Sequence, residues 1–119
     1  MNNIVDHIEN ADGAMITKFG SSSYKQIITT DESKMLTEYM KKVCEYGTAA
    51  SQFAYTSYKV AGKTGTAEYD NEGNCNSWFV GFSNPDNPDI VVSVVVEDSN
   101  VNQLSGAYVA KRIFDEYYR

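Results

Sequence analysis

The pattern of hydrophobic and polar positions changes period several times along this chain, and each change marks an element. Ile4 to Glu9 alternates, Asn10-Ala11-Asp12-Gly13 is a turn, and Ala14 to Phe19 returns as a second strand. Gly20 to Ser23 is a loop, and Ile27-Ile28 is a short extended piece. Thr29 and Glu32 stand at capping-box spacing, which predicts a helix start. Met35, Leu36, Tyr39, Met40, Val43 and Cys44 then recur at helical spacing on one apolar face, and Gly47 ends the helix. Thr48 to Ser57 is polar and aromatic without a period and is expected to be a surface loop. Strands follow at Tyr58 to Tyr69, Asn76 to Asn84 and Ile90 to Asp98. Asp70 to Gly73 and Asn84 to Pro88 supply the turns between them. Ile90 to Val96 is apolar at every position but Ser93, the pattern of a central strand covered on both faces. Ala107, Ala110, Ile113, Phe114 and Tyr117 mark a closing helix on the sheet. The expected class is α+β: an antiparallel sheet of three main strands plus an N-terminal hairpin, with two packed helices.

Composition narrows the function. A length of 119 residues bounds the chain at one small domain or part of one. A hydrophobic content of 42% is enough for a core. The net charge of −6 argues against a nucleic-acid partner. No apolar run approaches the ~20 residues that span a bilayer, and no secretory signal or anchor is visible. Cys44 and Cys75 lack metal-ligand spacing, and only His7 could join them, so neither a metal nor a cofactor is expected. Cys44, on the apolar face of its helix, reads as a buried thiol. The sequence leaves a disulfide between the two cysteines open.

The run Val60-Ala61-Gly62-Lys63-Thr64-Gly65-Thr66-Ala67-Glu68 carries the candidate chemistry. A strand edge offers N–H and C=O groups to an extended peptide. Gly65 lets a ligand come close to the backbone. Lys63 brings a positive charge on a flexible stem, and Thr64 and Thr66 bring hydroxyls that can donate to a carboxylate. The set suits a short peptide with a free C-terminus. Taken alone, the triplet Lys63-Thr64-Gly65 reads better as an ordinary strand that has a bulge glycine and a solvated lysine.

The longer stretch Ala61 to Glu68, with Trp78-Phe79-Val80-Gly81-Phe82, resembles the last part of the transpeptidase domain of high-molecular-mass penicillin-binding proteins. Val43 to Thr48, a helix ending in valine followed by Gly-Thr, also resembles that family. So does the order of elements along the whole chain. The resemblance implies that residues 1–119 are the C-terminal part of a partial penicillin-binding transpeptidase fold. It implies a serine acyl-transfer enzyme that attacks D-Ala-D-Ala stem peptides, cross-links peptidoglycan and is trapped by β-lactams. The parent protein would work on the outer face of the bacterial cytoplasmic membrane. Carried over residue by residue, Lys63 would support the positive potential and proton network of the site. Thr64, Gly65 and Thr66 would form the substrate-binding strand, with Gly65 giving clearance. The backbone N–H of Thr66 would be one oxyanion donor. The resemblance also implies that the strand at Ile90 to Glu97 pairs, on its far side, with a strand from the N-terminal part of the domain.

The family's nucleophile motif is S-x-x-K. Ser22-Ser23-Tyr24-Lys25 fits it literally. It follows Gly20-Ser21 and precedes the β-branched Ile27 to Thr30, with no helix-period face around it, so it reads as a polar loop. No S-x-N falls between Lys25 and Lys63. His7 has no acidic partner at a spacing that suggests a triad and reads as a strand or surface histidine. A complete β-lactamase is excluded by the missing nucleophile and general base. Two readings remain. One is a transpeptidase fragment that is inactive alone; the other is a free-standing binding or structural domain on the same strand platform. Met1-Asn2-Asn3-Ile4-Val5 opens almost directly on a strand, which suits an excised piece or a truncated reading frame. On the fragment reading, the strand at 90–97, with no charge between Ile90 and Val96, is left as an exposed edge and should drive self-association.

Overall fold

A computed structural model of the chain describes residues 5–20 and 25–119. The chain divides into two compact units, residues 1–30 and 31–119. In the first, β1 (His7–Glu9) pairs antiparallel with β2 (Met15–Lys18). The Asn10 side chain closes the turn by accepting from the N–H of Asp12 at 3.0 Å and of Ala14 at 2.8 Å. Gly13 sits at φ 78°, where a side chain would be strained. His7 lies on β1 beside two exposed carboxylates, Asp6 at 2.8 Å and Glu9 at 3.5 Å. Ile27-Ile28, expected to be extended, forms no strand. Ser22 to Tyr24 of the S-x-x-K match lie outside the described residues.

The second unit is built on a three-stranded antiparallel meander. β3 (Val60–Glu68) pairs with β4 (Cys75–Ser83), and β4 pairs with β5 (Val91–Val96). Each strand falls within the stretch that the alternation predicts, or within one residue of it. Four helices accompany the sheet: α1 (Thr30–Glu45), α2 (Ala50–Phe53), α3 (Ser99–Asn102) and α4 (Gly106–Tyr117). The architecture is α+β, as expected.

Directly opposite residues in an antiparallel ladder project to the same side. The register Thr64↔Phe79↔Val94 and Gly62↔Gly81↔Val92 therefore defines one face of the sheet. That face carries the core. Phe79 (1% exposed) stacks on Phe53 at 5.3 Å between ring centroids, and Phe114 (0%) meets Phe53 edge-on at 6.0 Å. Burying each phenylalanine contributes roughly 2–3 kcal/mol. α4 lies on this face through Ala107, Ala110 and Phe114. Its start is fixed by Ser105, whose hydroxyl accepts from the Tyr108 N–H at 3.1 Å. Gly106 packs so tightly on β4 that a Cβ there would lie 2.8 Å from the Phe79 nitrogen.

One expectation about the second unit is corrected. Thr48 to Ser57 is not a surface loop: it holds α2, and Ala49 and Phe53 enter the core. Ala49 and Phe53 are four residues apart, so one helical turn aims both at the sheet. The apolar face of α1 is covered only at its C-terminal end. Cys44 is 2% exposed and Val43 packs on the core, whereas Met35, Leu36 and Tyr39 each remain about half exposed.

Candidate functional site

The hydrogen-bond phase of β3 decides what its edge presents. The Asn84 N–H donates to the Lys59 carbonyl and the Tyr69 N–H to the Asn74 carbonyl, while the Ser83 N–H donates to the Ile90 carbonyl. Backbone groups of successive strand residues point to opposite sides. Ala61, Lys63, Gly65 and Ala67 therefore bond to β4. Gly62, Thr64 and Thr66 direct their N–H and C=O groups to the other edge, where no strand pairs among the described residues. Two side chains reach that edge. The Cys44 thiol, at the end of α1, takes the Gly62 N–H. The Lys63 ammonium donates to the Thr64 carbonyl.

Beyond Gly62 the edge opens into a cleft of about 250 Å³ lined by Thr48, Thr64, Gly65, Thr66, Ser77, Ser105 and Ala107. Five hydroxyls face it. Thr64 and Thr48 are hydrogen-bonded oxygen to oxygen at 2.8 Å. The Ser77 hydroxyl accepts from the Gly106 N–H at 3.0 Å. The Ser105 hydroxyl caps α4. Thr66 pairs with Ser77 across the ladder. The lining is thus rich in donors that suit an acceptor-only group such as a carboxylate.

All four residues singled out in the sequence meet at this edge, although they do not share a face. Thr64 and Thr66 lie on the core face of the sheet, toward the cleft. Lys63 and Gly65 belong to the opposite face, with Val80 and Trp78. What joins them is the edge itself, since the Lys63 amine curls back to the Thr64 carbonyl. Thr48, Ser77 and Ser105 were not foreseen as lining residues. The resemblance at Val43 to Thr48 pointed at Thr48 without giving it a role. Ser77 and Ser105 carry no local signal, because only the packing of α4 on β4 brings them together.

Cys44 stands beside the site and is chemically quiet. Burial, the largest influence, pushes its thiol up from 9.0 to about 12, reinforced by the Glu45 charge. The thiolate is the reactive form, so little is present at neutral pH. Cys44 and Cys75 are both free thiols. Among the described residues, no group of His, Cys, Asp and Glu is arranged to hold a metal ion, and no helix is long and apolar enough to cross a membrane.

Comparison with known proteins finds relatives both in sequence and in fold. The family described as penicillin binding protein transpeptidase domain matches residues 2–119. The chain is 32% identical over 85 residues to the peptidoglycan D,D-transpeptidase MrdA of Haemophilus influenzae, covering 60% of this chain and 13% of that protein. It superposes on the D,D-transpeptidase domain of a peptidoglycan glycosyltransferase from Eggerthella lenta with a TM-score of 0.62 at 31% identity, covering 90% of this chain and 24% of that one. It shares its fold with a ceftriaxone acyl-enzyme complex of penicillin-binding protein A from M. tuberculosis, with a TM-score of 0.59 at 24% identity over 88% of this chain and 24% of that one. The chain thus spans a small part of the length of these proteins.

Proposed function

Because this chain belongs to the penicillin-binding protein transpeptidase domain family, we propose that the open edge of β3 is one wall of a serine transpeptidase cleft. The wall takes the D-Ala-D-Ala end of a peptidoglycan stem peptide, or the β-lactam that mimics it. The observation that carries this reading is the phase of β3. The N–H groups of Thr64 and Thr66 face outward into a cleft of hydroxyls, where an extended peptide can add as a strand. Thr64 and Thr66 meet the terminal carboxylate, and Gly65 lets the peptide approach. Lys63 supplies positive charge and supports the proton network. The Thr66 N–H is one oxyanion donor, a contact worth roughly 3 kcal/mol in the transition state.

These 119 residues are the C-terminal part of that domain, and the serine nucleophile comes from polypeptide outside them. The parent protein works in cell-wall cross-linking on the outer face of the bacterial cytoplasmic membrane. The acyl step is an attack of the serine oxygen on the D-Ala-D-Ala carbonyl. The terminal D-alanine leaves with a proton, and a second peptide's amine then takes the acyl group. A wall without its nucleophile binds but does not react.

Incubation with a fluorescent penicillin tests this. The chain should give no covalent label. A label that disappears in Ser22→Ala would overturn the assignment and make Ser22 the nucleophile. Titration with a D-Ala-D-Ala peptide should give a Kd of about millimolar or weaker, since few contacts offset the cost of association. Micromolar affinity would favour a self-sufficient binding domain.

A further inference from the structure

Thr48 is held firmly and contacts a residue of the proposed substrate strand. Before it, the Gly47 N–H donates to the Lys42 carbonyl at 3.0 Å. Gly47 also sits so close to α1 that a Cβ would lie 2.8 Å from the Val43 Cα. After it, Ala49 is completely buried. The backbone is therefore fixed on both sides, while the Thr48 side chain stays exposed in the cleft, 2.8 Å from the Thr64 hydroxyl.

Each hydroxyl has one proton and can also accept. If Thr64 donates to Thr48, its proton is committed and cannot serve a ligand. If Thr48 donates to Thr64, the Thr64 proton is free, and the accepted bond polarises it. A carboxylate can only accept, so its arrival selects the second arrangement. We infer that Thr48 is a positioning residue that turns the Thr64 hydroxyl into a directed donor for the free C-terminal carboxylate of the peptide. It thereby makes the cleft prefer a free acid over a neutral terminus. The inference deepens the strand-edge reading and rests on it.

The test is an NMR titration of the 119-residue chain with acetyl-lysyl-D-Ala-D-Ala and with its C-terminal amide. Wild type, Thr48→Val and Thr48→Ser are compared. Thr48 is exposed, so both variants should keep the wild-type amide spectrum away from the cleft. Thr48→Val should bind the free acid about fivefold more weakly, and Thr48→Ser should restore the wild-type value. The amide should bind all three proteins alike. Equal free-acid affinity in wild type and Thr48→Val would overturn this inference alone. An equal loss for acid and amide would also overturn it, because the role would then be general packing. A wild-type chain whose cleft resonances move with neither peptide, even at peptide concentrations far above millimolar, would overturn the strand-edge reading and this inference together.

Discussion

Gly62 is the tightest position of the candidate strand, although Gly65 is the glycine that the sequence brings forward. A Cβ at Gly62 would lie 2.3 Å from the Phe79 ring and 3.2 Å from the Cys44 sulfur. At Gly65 it would lie 3.3 Å from the Trp78 Cβ. Two glycines three residues apart therefore do different work. Gly62 admits the Phe79 ring of the core, and Gly65 only touches Trp78 on the neighbouring strand. Periodicity could not separate them, because the Phe79 ring reaches Gly62 from the neighbouring strand. Gly62→Ala should lower stability by about 1–3 kcal/mol in a denaturant titration, since an overpacked core must shift. Gly65→Ala should cost less. Equal losses would show that the Phe79 contact is not limiting. Cys44 gives a second prediction at this scale. Its thiol keeps its proton in the folded chain up to about pH 12, against 9.0 for the ordinary group. The folded state therefore binds more protons between those values. The stability this contributes is fully present below pH 9 and is lost as pH rises toward 12. At pH 8, alkylation followed by mass spectrometry should modify the half-buried Cys75 first and reach Cys44 only after unfolding. Modification of Cys44 first would contradict its burial.

Among the elements, the long strands and the two long helices were legible because each repeats its own period over several residues. α2 was not. Four residues form barely one turn and cannot display a period. Its stability comes from what it packs against, as tertiary contact overrides weak local preference. Phe53 touches the rings of Phe79 and Phe114, so α2 joins sheet to helix. Phe53→Ala should cost about 3–5 kcal/mol, close to the whole margin of a small domain. Thermal unfolding would check this, and a shift of only a few degrees would return the segment to the status of a surface loop. The site divides in the same way. Lys63 to Thr66 lie on one strand, so a single motif exposed them. The rest of the cleft draws on the loop after α1, on β4 and on the start of α4. Residues so far apart in the chain meet only after folding.

At the scale of the whole second unit, no strand among the described residues pairs with either outer edge of the sheet, and the two edges are of opposite character. The β3 edge is polar, answered at Gly62 by Cys44 and at Thr64 by Lys63. The β5 edge is not. The Ser83–Ile90 bond sets its phase, so the backbone groups of Val91, Ser93 and Val95 point outward. Val91 is 70% exposed and Val95 45%, beside Trp78 and Val80 at 46% each, on the sheet face opposite the core. The register with β4 is unbroken, and no charge, proline or bulge interrupts Ile90 to Val96. Natural edges are usually blunted by one of these devices, and apolar patches of several hundred Å² tend to find partners. A strand with this composition is suited to cover on both sides, which the remainder of a transpeptidase domain would supply. The isolated chain should therefore self-associate through residues 90–97, antiparallel strand against strand. Val94 projects into the core, so the informative substitution is at Val95, whose side chain is free. Sedimentation velocity should show dimers or larger species for the wild-type chain and a shift toward monomer for Val95→Lys, with an unchanged circular dichroism spectrum. A wild-type chain that stays monomeric at high concentration would show that this edge is protected after all, and would weaken the case that β5 was shaped to lie inside a larger sheet.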